Sequence, residues 1–159
     1  MNSLLFRVLL ALLPVLGFAT EPAPAFLWGM LTALILTAAT VFLLGVRFIF
    51  PWTVWRVIFF LSLLALAALA LKFFALPPFF LLSLFLLVPP EFFRERKNWD
   101  RAARKMVRGG LLFGALLTGH RVLMEVFSNT AGLHIFELPA GSYLLMGLAL
   151  AVAGKTGKK

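Results

Sequence analysis

The residues best placed for chemistry in this sequence are two opposite charges within an apolar segment. Arg121 and Glu125 lie four residues apart in residues 109–127, a stretch long enough to cross a bilayer. On a helix this spacing puts them on one face, where they can pair. Charges inside a membrane usually face a bundle interior or an ion pathway. The alternative puts Glu125 at the outer interface with Arg121 extending to join it, and is favoured because Glu125 is close to the segment's end.

The other reactive groups form no catalytic constellation. His120 and His134 fall on different elements, so we interpret them as structural or interfacial rather than as metal ligands. Cysteine is absent, which excludes thiolate nucleophiles and cysteine-ligated zinc or iron–sulfur centres on this chain. Walker and Rossmann motifs are also missing. We therefore predict no catalytic residue and no cofactor or metal bound by this chain, so any nucleotide chemistry belongs to partners.

Composition predicts that one membrane domain occupies residues 1–159. The chain is 62% hydrophobic and 13% charged, whereas soluble domains carry about 25% charged residues. Residues 25–46 contain no charge and would form about 33 Å of helix, enough to cross the bilayer. Residues 8–19 imitate the apolar part of a signal peptide, but Pro14 interrupts them, and we expect this segment to be structural.

The net charge of +9 is concentrated in a few places. Seven of the 15 basic residues lie between Arg94 and Arg108 and three more end the chain, a pattern typical of cytoplasmic membrane loops rather than of nucleic-acid binding. We expect the chain to lie in the inner membrane of a prokaryote. With six crossings, both of its termini are expected in the cytoplasm.

Hydropathy predicts six membrane segments, at residues 8–19, 25–46, 57–74, 79–88, 109–127 and 138–154. The first and fourth are too short to span the bilayer unaided and contain or adjoin proline. Short, interrupted segments at matching positions predict two inverted three-helix repeats, at about residues 4–74 and 76–154. The alternative is that they are short, tilted helices. The basic connection at residues 47–56 and the one that contains residues 94–108 can lie on the same side of the membrane only if the fourth segment crosses it.

Several groups of residues follow one another in the order of a known family. Residues 110–114 are glycine-rich at the start of the fifth segment, residues 125–130 join a glutamate to a polar turn, and residues 139–143 with Gly147 begin the last segment. Earlier matches are Leu13-Pro14, a Pro-x-x-Val-x-Arg connection at residues 51–56, and Glu91 with Phe93. This order resembles the D/E-type subunits of the Rnf/Nqr membrane-subunit family.

The resemblance implies six crossings in two inverted repeats, within a complex that couples electron flow to ion transport. Subunits of this type also give one cysteine from each broken helix to a [2Fe–2S] cluster shared with a related subunit. Leu13 and Leu84 stand at those positions, and Met124 replaces an arginine before the glutamate of the fifth helix. The resemblance therefore implies a divergent member without the cluster.

Two functions remain open for a chain of this kind. The first is a cofactor-free subunit of an Rnf/Nqr-like ion-translocating electron-transfer complex, packed against a related inverted subunit. The second is a scaffold or small transporter subunit with the same fold and no redox role. We expect partner or pathway contacts near Pro14, Pro89, Glu91, Arg121 and Glu125, with lipid and other membrane subunits as the partners.

Overall fold

Helices form along each apolar run of the sequence. The computed structural model describes residues 3–16, 18, 21–46, 48–74, 76, 79–89, 92, 99–131 and 139–156. Within them lie six helices: α1 (Ser3–Leu16), α2 (Pro22–Val46), α3 (Trp52–Phe74), α4 (Phe80–Leu87), α5 (Trp99–Ala131) and α6 (Pro139–Thr156). The predicted all-helical fold is confirmed for these residues. The inverted repeats and their bounds stay predictions.

Three of the described helices are long and apolar enough to cross a membrane, namely Pro22–Val46, Thr53–Phe74 and Trp99–Thr130. The shorter stretches Leu4–Leu16 and Ala140–Ala151 are also apolar. Large apolar side chains face outward, among them Leu34 on α2 and Leu61 on α3, which are 63% and 60% exposed. Because apolar surface on this scale is unfavourable in water, these helices indicate a membrane protein.

α5 begins well before the apolar segment that predicted it. Residues 99–108 were expected as part of a basic connection, but they form the first turns of this helix. Trp99, Ala102 and Met106 are buried on one side, whereas Arg101 and Arg104 are exposed. The spacing of the buried residues is that of one helix face. The second half of the basic run is therefore an amphipathic extension of a membrane helix, and residues 93–98 lie outside the described residues.

α2 and α5 pack against each other through their glycines. A Cβ atom built on Gly29 would collide with the Cα of Gly114, and one on Gly110 would lie 3.1 Å from the Cα of Ala33. Residue numbers rise along α2 as they fall along α5, so the two helices are antiparallel. Small residues at four-residue spacing permit such close backbone contact in membranes.

The two short helices lie side by side, and each has one buried face and one exposed face. α1 contacts α4, α5 and α6. At one end the rings of Phe18 and Phe79 are 5.7 Å apart, centroid to centroid. At the other, Leu4 and Leu87 both approach Gly109, their methyl carbons 3.5 and 3.6 Å from the site of a Cβ atom. α1 and α4 are therefore antiparallel, and both extend over the same depth of the bundle.

An aromatic cluster joins the first turns of α3 and α5 to Phe92 at one end of the bundle. The ring of Trp55 is 4.5 Å from that of Trp99 and 6.2 Å from that of Phe92. The indole N–H of Trp55 donates to the carbonyl of Leu43 at 3.3 Å, which ties the start of α3 to the end of α2. The starts of α3 and α5 therefore lie at the same end of the bundle, as expected if α4 crosses it.

Candidate functional site

The carboxyl end of α1 is held by its own turn and by a side chain from α5. Pro14 lies in the last turn of α1, and two residues later the helix ends at Leu16. The N–H of Phe18 donates to the carbonyl of Val15 at 3.0 Å. Nη2 of Arg121 donates to the carbonyl oxygen of Leu16. Carbonyl groups that a helix leaves unpaired at its end are thus satisfied here inside the protein.

The contact places a cation beside the partial charge of a helix end. The carboxyl end of a helix carries a partial negative charge, which stabilises a positive group placed beside it. Arg121 is only 5% exposed, so apolar surroundings strengthen the attraction. Among the described residues, its Nε atom has no hydrogen-bond partner. The site therefore combines a buried cation, one backbone acceptor and one unused N–H.

Glu125 does not share the environment of Arg121. Its side chain is exposed, whereas that of Arg121 is buried against α1. Both residues are among those described, and no ion pair joins them. The structure thus buries the predicted cation against the end of α1 and leaves the carboxylate at the surface of α5.

His120 borders a groove between α1, α5 and α6. The groove measures about 430 Å³, and its other lining residues include Leu12, Leu116 and Met146. Nε2 of His120 is buried and has no hydrogen-bond partner among the described residues. The surroundings of this nitrogen are mostly apolar, so it is the main polar feature of the groove. His134 lies outside the described residues.

Two buried serines add to the polar groups of the interior. The hydroxyls of Ser83 on α4 and Ser142 on α6 have no hydrogen-bond partner within the described part of the chain. Both residues are fully buried. An unpaired buried hydroxyl costs about 1–3 kcal/mol. The core around the short helices is therefore less completely satisfied than that of α2, where the hydroxyl of Thr32 donates to the carbonyl of Trp28 at 2.8 Å.

The positions that the resemblance assigns to a cluster do not fit one. Leu84 is buried on α4, and Leu13 is half-buried on α1. Aliphatic side chains offer no ligand atom to iron, so the residues present do not suit a [2Fe–2S] centre. That this chain binds no cofactor stays a prediction.

The remaining predicted partner sites differ in their burial. Pro14 is half-buried on α1, and Pro89 is buried just after α4, where its carbonyl accepts from the N–H of Phe92 at 3.0 Å. Glu91 lies outside the described residues. Pro14 lies in the last turn of α1 and Pro89 just after α4, so in the antiparallel pair they are at opposite ends.

Comparison with known proteins gives no relative. No protein-family model, curated protein sequence or solved structure matches the chain.

Sequence reasoning missed the Gly29–Gly114 contact and the acceptor of Arg121. The small residues that it singled out were Ala65, Ala67, Ala68 and Ala70 on α3. Small residues at positions 25, 29 and 33 and at positions 110 and 114 carry the signal for the crossing, since each set repeats every four residues. No comparable signal points from Arg121 to a carbonyl on α1.

Proposed function

We propose that this chain is a cofactor-free membrane subunit of an Rnf/Nqr-like ion-translocating electron-transfer complex, packed against a related subunit of inverted orientation. One observation carries the proposal. Two of the three early helices meet their later counterparts antiparallel, α1 beside α4 and α2 across α5. Two inverted repeats related by an axis in the membrane plane require this relation. The order of family-like residues along the chain gives independent support.

The charge distribution supports an orientation for the proposed subunit. Arg104 and Arg108 border a groove beside residues 37–44 at the carboxyl half of α2, which is the end of the bundle that carries the Trp55–Trp99 contact. Basic residues beside membrane helices mark the cytoplasmic side. In our proposal this end faces the cytoplasm of a prokaryote, six segments cross the inner membrane, and both termini lie inside.

The surface offered to a partner consists of the outer faces of the two short helices. Their inner faces already pack within the chain, with Leu12 on α1 and Leu84 on α4 fully buried. Phe6 on α1, and Leu82 and Phe85 on α4, are exposed. A second chain placed here would cover these apolar side chains next to Pro14 and Pro89.

Purification of the tagged chain in mild detergent from its native membrane tests this arrangement. We expect another membrane subunit to co-purify with the wild-type chain. Leu82→Trp should release it, because the larger ring occupies the proposed interface. Leu34→Trp is the matched control, since Leu34 on α2 is 63% exposed and Leu82 is 51% exposed. A monodisperse wild-type monomer with no membrane partner would contradict the proposal.

A scaffold or small transporter subunit without a redox role is the second candidate. The observation that favours it is the closure of α1 on α4 and the bond from Arg121 to Leu16, because these satisfy the short helices within one chain. The purified complex separates the two functions. Flavin or iron–sulfur absorption from the co-purifying chains supports the redox complex, and a partner complex without such chromophores supports the scaffold.

A further inference from the structure

A second groove lies between the carboxyl half of α2 and the basic start of α5. It measures about 430 Å³ and is lined by Thr37, Thr40, Val41 and Leu44 of α2 and by Ala103, Arg104, Val107 and Arg108 of α5. Val41 and Leu44 form part of one wall, and Val107 part of the other. Arg104 and Arg108 border it as well. The groove therefore combines an aliphatic surface with two cations.

The threonines of this groove do not make it polar. The hydroxyl of Thr37 donates to the carbonyl of Ala33 at 2.7 Å, and that of Thr40 to the carbonyl of Leu36 at 2.6 Å. A hydroxyl that donates to its own helix has no proton left to donate to water or to a ligand, and keeps only its acceptor lone pairs. Val41 is 61% exposed, so an apolar occupant of the groove would cover much aliphatic surface.

The two arginines are arranged to bind one anionic group. Arg104 and Arg108 are one helical turn apart and both exposed, so they project from the same face of α5. Nε of Arg104 donates to the carbonyl of Asp100 at 3.2 Å, which restrains this side chain. Its two terminal nitrogens have no hydrogen-bond partner among the described residues. Guanidinium groups bind phosphate oxygens in bidentate geometry.

The position along α5 matches the boundary between headgroups and hydrocarbon. Residues 99–108 contain four basic residues and one acidic residue, a net charge of +3. After Arg108 the next charged residue is Arg121. Basic pockets between membrane helices on the cytoplasmic side bind anionic lipid headgroups, and each nearby cation strengthens attraction to an anionic leaflet.

We propose that this groove is a binding site for one anionic phospholipid. Arg104 and Arg108 hold its phosphate, and an acyl chain lies along Val41, Leu44 and Val107. A lipid suits the groove better than a partner helix, because the occupant must be negative at one end and aliphatic for the rest of its length. The site is independent of the partner surface on α1 and α4.

Thermal unfolding of the detergent-purified chain, followed by tryptophan fluorescence, tests the headgroup contact. Dioleoyl phosphatidylglycerol should raise Tm by several degrees more than dioleoyl phosphatidylcholine does. Arg108→Gln should reduce this difference at least twofold, and Arg104→Gln with Arg108→Gln should abolish it. Arg101→Gln removes an exposed cation from the same helix but outside the groove, and should preserve the difference. Equal effects of the two lipids, or an equal loss in Arg101→Gln, would overturn the site.

Filling the aliphatic part of the groove tests the acyl-chain contact. Val41→Trp should abolish the phosphatidylglycerol effect with both arginines in place. Leu34→Trp, at a similarly exposed position on the same helix, should leave it unchanged. Glycerol phosphate, which has the headgroup charge without acyl chains, should not raise Tm. A full lipid effect in Val41→Trp, or an equal effect of glycerol phosphate, would refute a phospholipid site.

Discussion

The α2–α5 crossing and the α1–α4 pair lie in the same bundle but are stabilised in opposite ways. At the crossing, Gly29 and Gly114 remove side chains so that two long backbones touch. In the pair, large residues such as Phe80 and Leu12 are fully buried. The long helices satisfy their own backbone over most of their length, whereas α1 depends on Arg121 at its carboxyl end.

The two regions therefore tolerate different kinds of substitution. At the crossing it is steric, because an added carbon has nowhere to go but into the backbone of the other helix. In the pair it is both packing and polarity, because a short helix inside a membrane exposes carbonyl groups that lipid cannot satisfy. Substitutions can therefore break one region while leaving the chemistry of the other intact.

The largest effect is expected at the crossing. Gly29→Val should destabilise the chain by more than about 3 kcal/mol, because backbone rather than a flexible side chain must move. Gly45→Val is the control on the same helix, since a Cβ atom there meets nothing within 4 Å. Thermal unfolding in detergent measures both. If Gly29→Val does not fold, Gly29→Ala gives the comparison, and equal stability of Gly29→Ala and wild type would exclude the close contact.

A smaller loss is expected from a cavity in the α1–α4 pair. Leu84→Ala should cost roughly 3 kcal/mol, because the residue is fully buried and its neighbours relax only partly. Leu82→Ala, on the exposed side of the same helix, should cost much less in the isolated chain. The same unfolding assay ranks the two variants. If both lose the same stability, the burial of α4 described above is wrong.

The smallest of the three effects concerns the end of α1. Arg121→Met should lower the free energy of unfolding by about 2 kcal/mol, because the carbonyl of Leu16 loses a charged donor. Glu125→Gln should have little effect, since Glu125 is exposed and no described contact joins it to Arg121. Equal losses in these two variants would instead support an ion pair across one helical turn.

The sequence predicted the helices themselves better than their contacts. Runs such as residues 25–46 are long and uncharged, so their helical, membrane-crossing character follows from length and composition alone. The early start of α5 was missed because average hydropathy falls where Arg101 and Arg104 occur. The buried positions Trp99, Ala102 and Met106 still repeat with helical spacing, which is the signal that a periodicity argument would have used.

The candidate site was predictable only in part. The cost of a charge in a membrane singles out Arg121 from the sequence. Its acceptor was not predictable, because helical spacing gives only neighbours such as Glu125, whereas Leu16 comes close through packing of α1 on α5. The proline-flanked short segments were predicted as well, but the choice between closure within the chain and closure by a second chain depends on tertiary contacts.

The bond from Arg121 to Leu16 also constrains the order in which the bundle can assemble. The two residues are 105 positions apart, so α1 emerges from the ribosome long before its capping side chain. Until α5 arrives, a helix of 14 residues cannot span the bilayer or satisfy its last carbonyls there. We therefore expect α1 to wait at the membrane surface or beside the insertion machinery during synthesis, and to enter the bundle only after α5 is made.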